Sequence, residues 1–210
     1  MRLSRDFDGK TIVSISDGRI LGKTKDVYLD PDLQTMTGFH IGREGLIKRK
    51  TILIQRQDVV LLGVDVILVK DSDVFTDDQQ MPEAKLWLRQ DDLDGRQVVT
   101  PGGTKLGIVG DVVLDDTGAV MEIALSRVLV EGPLAEKRNI PRDAVLDVGK
   151  DGEPMMVDLA VMEKLFGTGF IEEDEDGAET AVAPQDSAEV LTVEVDTIEE
   201  GEAAEDAVTK

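Results

Sequence analysis

The chain has 210 residues, a net charge of −21 and no cysteine, and only 3% of its residues are aromatic. The missing cysteine excludes disulfides, thiolate metal sites and cysteine nucleophiles, and the negative charge opposes general nucleic-acid binding, which depends on neutralising phosphates. The core must rest on valine, isoleucine and leucine, which favour β-strands.

The first 75 residues predict a series of short strands. Asp-Gly pairs at residues 8–9 and 17–18 are typical of turns, and they flank a β-rich run at residues 11–15. The decapeptide LGKTKDVYLD (residues 21–30) follows, and the alternation of its Val27 and Leu29 indicates a half-buried strand. Further strands are expected at residues 36–41, 59–62 and 66–69, before a polar linker at residues 76–85.

The same pattern returns 84 to 86 residues later. LGIVGDVVLD (residues 106–115) matches the decapeptide, and IPRDAVLDVG (140–149) matches IQRQDVVLLG (54–63). Strands are expected again, at residues 97–100, 120–128, 145–148 and 155–157. A unit of about 70 residues is therefore duplicated, as residues 1–75 and 86–158. Half a dozen short strands per unit predict two small antiparallel β-barrels in tandem, whose closure would remove exposed edges.

The chain after the second unit changes character. Asp158 is placed to cap a short helix at residues 159–167, with Leu159, Met162 and Phe166 on one face, which either packs on a barrel or docks a partner. Residues 168–210 combine low hydrophobicity with high negative charge and predict a disordered acidic tail. Within the tail, residues 190–198 alternate apolar and acidic side chains and either stay unstructured or add as a strand to a partner.

These residues resemble the PRC-barrel family, named for the photosynthetic reaction-centre H subunit. The resemblance rests on Gly-Lys-x-x-Asp-Val-x-x-Asp at residues 22–30 and on IPRDAV at residues 140–145. The first unit has IQRQDV at the equivalent residues, 54–59, and so departs from the second of these motifs. It implies a mainly β fold of two PRC-type barrels. It also implies a role as an adaptor or in complex assembly, and members of the family share no common set of catalytic residues.

Three positions outside the basic residues are candidates for partner binding. Asp26 and Asp111 occupy equivalent places in the two decapeptides, and they either bond backbone at a strand end or form a shared partner-binding carboxylate. Trp87, at the start of the second unit, either packs between the barrels or contacts a ligand. His40 is expected to face outward from its strand, as a surface histidine.

A basic loop, residues 43–56, stands out against the acidic background. It is either a solvated connection or a site for an anionic partner such as phosphate, RNA or an acidic peptide. Its candidate binding residues are Arg43, Lys48, Arg49 and Lys50.

We expect a non-enzymatic adaptor or scaffold whose barrels bind protein partners. The alternative is an RNA- or ribosome-associated maturation or assembly factor that uses the basic loop, although the net charge disfavours RNA. No catalytic residue, metal site or cofactor is expected, because one histidine and no cysteine cannot build a histidine-based metal cage. The polar N-terminus and the lack of a long apolar run predict a cytoplasmic protein without a transmembrane segment.

Overall fold

The fold is mainly β, and the computed structural model describes residues 1–45, 50–150 and 152–166. Both repeats lie in one compact unit. The first repeat contains strands β1 (Arg2–Leu3), β2 (Thr11–Ser14), β3 (Ile20–Lys23), β4 (Asp26–Leu29), β5 (Met36–Glu44), β6 (Lys50–Gln55), β7 (Val59–Leu62) and β8 (Val66–Val69), and β9 (Phe75–Asp77) follows it. The second contains β10 (Leu88–Arg89), β11 (Gln97–Val99), β12 (Lys105–Leu114), β13 (Val120–Val128), β14 (Asn139–Pro141), β15 (Val145–Asp147) and β16 (Met155–Val157).

Short helices join the strands. The described residues form α1 (Gln90–Leu93), α2 (Pro133–Lys137), α3 (Leu159–Phe166) and 3-10 helices at Ser4–Phe7, Arg56–Asp58, Pro82–Leu86 and Arg142–Ala144. In the described ranges, no helix is long and apolar enough to cross a membrane. The expected helix after the second repeat is confirmed: Asp158 Oδ1 accepts a hydrogen bond from Ala160 N at 2.8 Å, and Met162 is fully buried.

The two repeats arrange equivalent strands differently. The first divides into a five-stranded sheet, β10-β4-β5-β6-β9, and a four-stranded sheet, β3-β2-β8-β7. The second keeps one continuous sheet, β14-β13-β12-β11-β16-β15, to which β1 is added beside β12. These hydrogen-bonded orders have two ends each, so strand pairing does not show the closure expected from the sequence.

Two strand pairs depart from the expected antiparallel arrangement. β2 runs parallel to β8, and β11 runs parallel to β16. In each repeat the first hairpin strand thus lies beside the last strand, and the intervening strands provide the long connection that a parallel pair requires.

The main hydrophobic core of the described residues draws on both repeats. Phe7 and Phe39 pack at 5.9 Å between ring centroids in the first, and Leu114 and Ile123 belong to the same cluster in the second. Aliphatic side chains dominate this core, as the composition predicts. Each fully buried one contributes roughly 1.5–3 kcal/mol.

The segment predicted as a linker is structured and packs on the first repeat. β9 pairs with β6, and the 3-10 helix Pro82–Leu86 follows. Met81 and Ala84 are buried against Tyr28 and Leu53. The predicted disordered tail, residues 168–210, lies outside the described residues.

Candidate functional site

The repeats exchange their first strands. β1 pairs with β12 of the second repeat, with Arg2 opposite Leu114, and β10 pairs with β4 of the first, with Leu88 opposite Leu29. Arg2 and Leu88 are equivalent in the duplication, so the exchange is reciprocal, as in a pseudo-symmetric dimer. Separation of the repeats would break both pairs.

Asp111 lies in this contact and is fully buried. It accepts a hydrogen bond from Ser4 Oγ, and the guanidinium of Arg5 pairs with its second oxygen. Its Oδ1 also accepts from Val112 N at 2.7 Å. Asp111 therefore accepts a hydrogen bond from the backbone, which is one of the two roles considered for it. Through Ser4 and Arg5 it also joins the two repeats. A partner-binding role for it stays a prediction.

Asp26 is the equivalent residue in the first repeat, and it is 5% exposed. Its Oδ1 accepts from Val27 N at 2.8 Å, while Arg89 Nη2 lies 2.9 Å from Oδ2 without a hydrogen-bond geometry. Burial, and then the negative charge of Asp91, raise the pKa of Asp26 to about 6. Asp26 is thus a buried acid beside a cleft of about 280 Å³, and its predicted partner-binding role is untested.

Two arginines join the repeats at a second place. Arg56 and Arg142 are equivalent in IQRQDV and IPRDAV. Arg56 Nη2 donates to Thr117 O at 2.8 Å, and Arg142 Nε donates to Leu33 O at 2.7 Å. Each arginine satisfies turn carbonyls of the other repeat. Sequence analysis missed this role, although the arginine shared by both copies was an available signal.

The basic loop is only partly described. Lys50 Nζ lies 2.9 Å from Asp77 Oδ2, and this contact lowers the pKa of Asp77. Arg43 is exposed near the end of β5. Lys48 and Arg49 lie outside the described residues. Lys50 and Arg56 contact other residues of the chain, Asp77 and Thr117. Among the described residues of the loop, Arg43 is therefore the exposed cation that an anionic partner could contact.

Trp87 belongs to a small cluster on the outer face of the five-stranded sheet. It is half-buried, and its ring centroid lies 5.7 Å from that of Tyr28. His40 packs edge-on to Tyr28 at 5.8 Å and is only 7% exposed. The expectation of a surface histidine is wrong because the segment around Met81 covers this face. Burial, and then nearby cations led by Arg89, lower the pKa of His40 to about 4.

An exposed apolar feature lies on the four-stranded sheet of the first repeat. One residue from each strand forms a continuous line across it, which we name the apolar row: Ile20, Val13, Leu68 and Leu61, each opposite the next. Ile20 is 73% exposed and Leu61 is 52% exposed. The alternate residues Ile12 and Ile67 are fully buried, so the row faces away from the core.

The equivalent line in the second repeat carries charges at both ends. It consists of Lys105, Val99, Met156 and Asp147. The repeats therefore share a fold but present different surfaces. Sequence analysis missed the row, although the uninterrupted apolar strands VVLL (59–62) and VILV (66–69) were a signal, since such strands are usually covered on both faces.

Comparison with known families agrees with this duplicated architecture. The family model described as PRC-barrel domain matches residues 1–74 and, a second time, residues 88–159. No curated protein matches the chain. The two matches together cover more than half of the sequence, and the chain therefore belongs to the PRC-barrel family, with two PRC-barrel domains in tandem.

Proposed function

We propose that this protein is a non-enzymatic adaptor that binds a protein partner through the apolar row of its first PRC domain. The observation that carries the proposal is the exposure of Ile20 and Leu61 at the two ends of a continuous aliphatic line. Exposed contiguous apolar surface is characteristic of protein–protein contacts. A partner that buries these side chains gains roughly 1.5–3 kcal/mol for each.

The contrast between the domains supports a specific role for the first. The second domain shows that this fold accepts charged residues at the ends of the row, since Lys105 replaces Ile20 and Asp147 replaces Leu61. The fold therefore does not require aliphatic residues there. Their presence in one copy supports a contact between this row and a partner.

The alternative, an RNA- or ribosome-associated factor, depends on the basic loop. It has less support, because Lys50 pairs with Asp77 and Arg56 bonds to Thr117, while the chain carries a net charge of −21. An aliphatic row also suits a protein surface better than a phosphate backbone. The absence of catalysis and a cytoplasmic location stay predictions.

The test exchanges the row for the residues that the second domain uses. Tagged full-length protein and Ile20→Lys/Leu61→Asp are compared by quantitative mass spectrometry of bound proteins. The control is Leu129→Lys/Leu146→Asp, which makes the same charge changes at exposed leucines of the second domain. We expect partners to be lost roughly tenfold or more with the row variant only.

Equal recovery by all three proteins would refute the docking role of the row. RNA that is recovered with wild type and lost with Lys48→Glu/Arg49→Glu would favour the alternative. Unfolding curves of the variants establish that each one folds.

A further inference from the structure

The strand that begins the apolar row has an open edge in the first domain only. Within the described ranges β3 pairs with β2 and with no other strand. The equivalent half of β12 pairs with β11 on one side and with β13 on the other, where Gly107 lies opposite Val128 and Leu106 O accepts from Leu129 N at 2.9 Å. In the first domain β5 leaves this position after His40 and continues against β6.

The space beside the equivalent glycines shows the same difference. A Cβ on Gly107 would lie 2.6 Å from Arg127 O of β13, whereas a Cβ on Gly22 would meet no atom of the described residues within 4 Å. Along β3, no strand of the described part of the chain therefore fills the place that β13 takes in the second domain. β3 is paired with β2 as the equivalent half of β12 is paired with β11, since Gly22 lies opposite Ile12 and Gly107 lies opposite Val98.

The opposite edge of the sheet is less available. Arg2 of β1 donates to Leu62 O at 2.6 Å and to Gly63 O at 2.9 Å, at the end of β7. Lys10 Nζ donates to Val64 O in the turn that follows. These side chains engage the carbonyl groups that an added strand would need, so β3 is the favoured edge.

Charge selects what can bind at β3. Residues 18–25 contain Arg19, Lys23 and Lys25, all exposed, and no acidic residue, in a chain with a net charge of −21. A second copy of the chain is disfavoured there, because antiparallel self-pairing would bring the cations at positions 19 and 23 of one copy close to those of the other. A segment with carboxylates suits these cations, and apolar side chains next to Ile20 would extend the row.

We propose that β3 binds an extended segment of a partner protein, with apolar and acidic residues, as the fifth strand of this sheet. Backbone hydrogen bonds hold the strand, Ile20 contacts its apolar residues, and Arg19, on the opposite face from Ile20, pairs with its carboxylates, while Lys23 adds positive charge nearby. This inference rests on the proposed function, because it assigns the class of partner and its binding mode at the same face.

The test titrates full-length protein with labelled nine-residue peptides and follows fluorescence anisotropy. The probe alternates valine and glutamate. One control alternates valine and lysine, and a second is the probe with every other amide N-methylated, which removes backbone donors. We expect the probe to bind at least roughly tenfold more tightly than either control, and to weaken as salt rises.

The variant Arg19→Glu/Lys23→Glu provides a reciprocal test. It should prefer the lysine peptide over the glutamate peptide, reversing the wild-type order. Amide exchange of the wild type should slow at residues 21 and 23 when the probe is bound.

Failure of this inference differs from failure of the proposed function. Equal affinity for the N-methylated and unmodified probes, or no binding of the probe, overturns strand addition and leaves docking on the row intact. Probe binding with unchanged partner recovery by Ile20→Lys/Leu61→Asp overturns docking on the row and leaves strand addition standing.

Discussion

Asp26 and His40 lie opposite each other on β4 and β5, and their ionisation has opposing effects on stability. The pKa of Asp26 is about 6 in the folded protein, against an ordinary 3.8, so the folded state binds this proton more tightly than the unfolded state. Its contribution to stability therefore rises as the pH falls from 7 towards 4. The pKa of His40 is about 4, against 6.5, so its contribution falls over the same range.

The two contributions are of similar size. One pKa unit corresponds to about 1.4 kcal/mol, so each shift of roughly two units is worth about 3 kcal/mol. They nearly cancel between pH 4 and 7 in the wild type. In Asp26→Asn only the histidine contribution remains, and stability should fall by about 2–3 kcal/mol between pH 7 and pH 4.5. In His40→Gln stability should rise by a similar amount.

Urea unfolding at several pH values between 4.5 and 7.5 measures this. Trp87 is the single tryptophan and packs on Tyr28, so its fluorescence reports on this region of the fold. Asp65→Asn, at an exposed turn position, is the matched control and should follow the wild type. Parallel pH profiles for wild type, Asp26→Asn and His40→Gln would refute the reasoning.

Three substitutions test the packing that positions the site, each by urea unfolding. Arg142→Ala should destabilise by about 1–3 kcal/mol because it leaves turn carbonyls of the first domain unpaired; a neutral effect would show that water replaces the arginine. Gly38→Ala should cost about 1–3 kcal/mol or prevent folding, because its Cβ would lie 2.2 Å from Ile54 O, and wild-type stability would contradict that geometry. Met162→Ala should cost about 2–5 kcal/mol, and a loss below 1 kcal/mol would mean that α3 contributes little.

Local features of the fold could be predicted from the sequence. Strands at residues 66–69 and 120–128 have the predicted bounds, because alternating side chains and flanking turn residues are local signals. β1 and β10 have two residues each, too short for any pattern to show, so the exchange between domains could not be predicted. The burial of His40 was missed for a related reason: the sequence gives the face of a strand but not the distant segment that covers it.

The candidate site was found by comparing the first domain with the second, because the two domains have similar sequences but different surfaces. The sequence of one domain alone does not show this difference. Gly22 and Gly107 are equivalent in sequence, yet among the described residues Gly22 pairs only with β2, whereas Gly107 has a strand on both sides. The difference arises later in the first domain, where the end of β5 pairs with β6 and β6 pairs with β9. β9 follows the first domain, and the described residues of the second domain contain no equivalent strand.

Duplication explains how the first domain can have an open edge and remain folded. Its core is continuous with that of the second domain, and β10 and Arg142 support it from outside its own sequence. An isolated domain with two separate sheets would lack these contacts. The second domain, with its continuous sheet, thus stabilises the first, in which β3 is paired on one side only among the described residues.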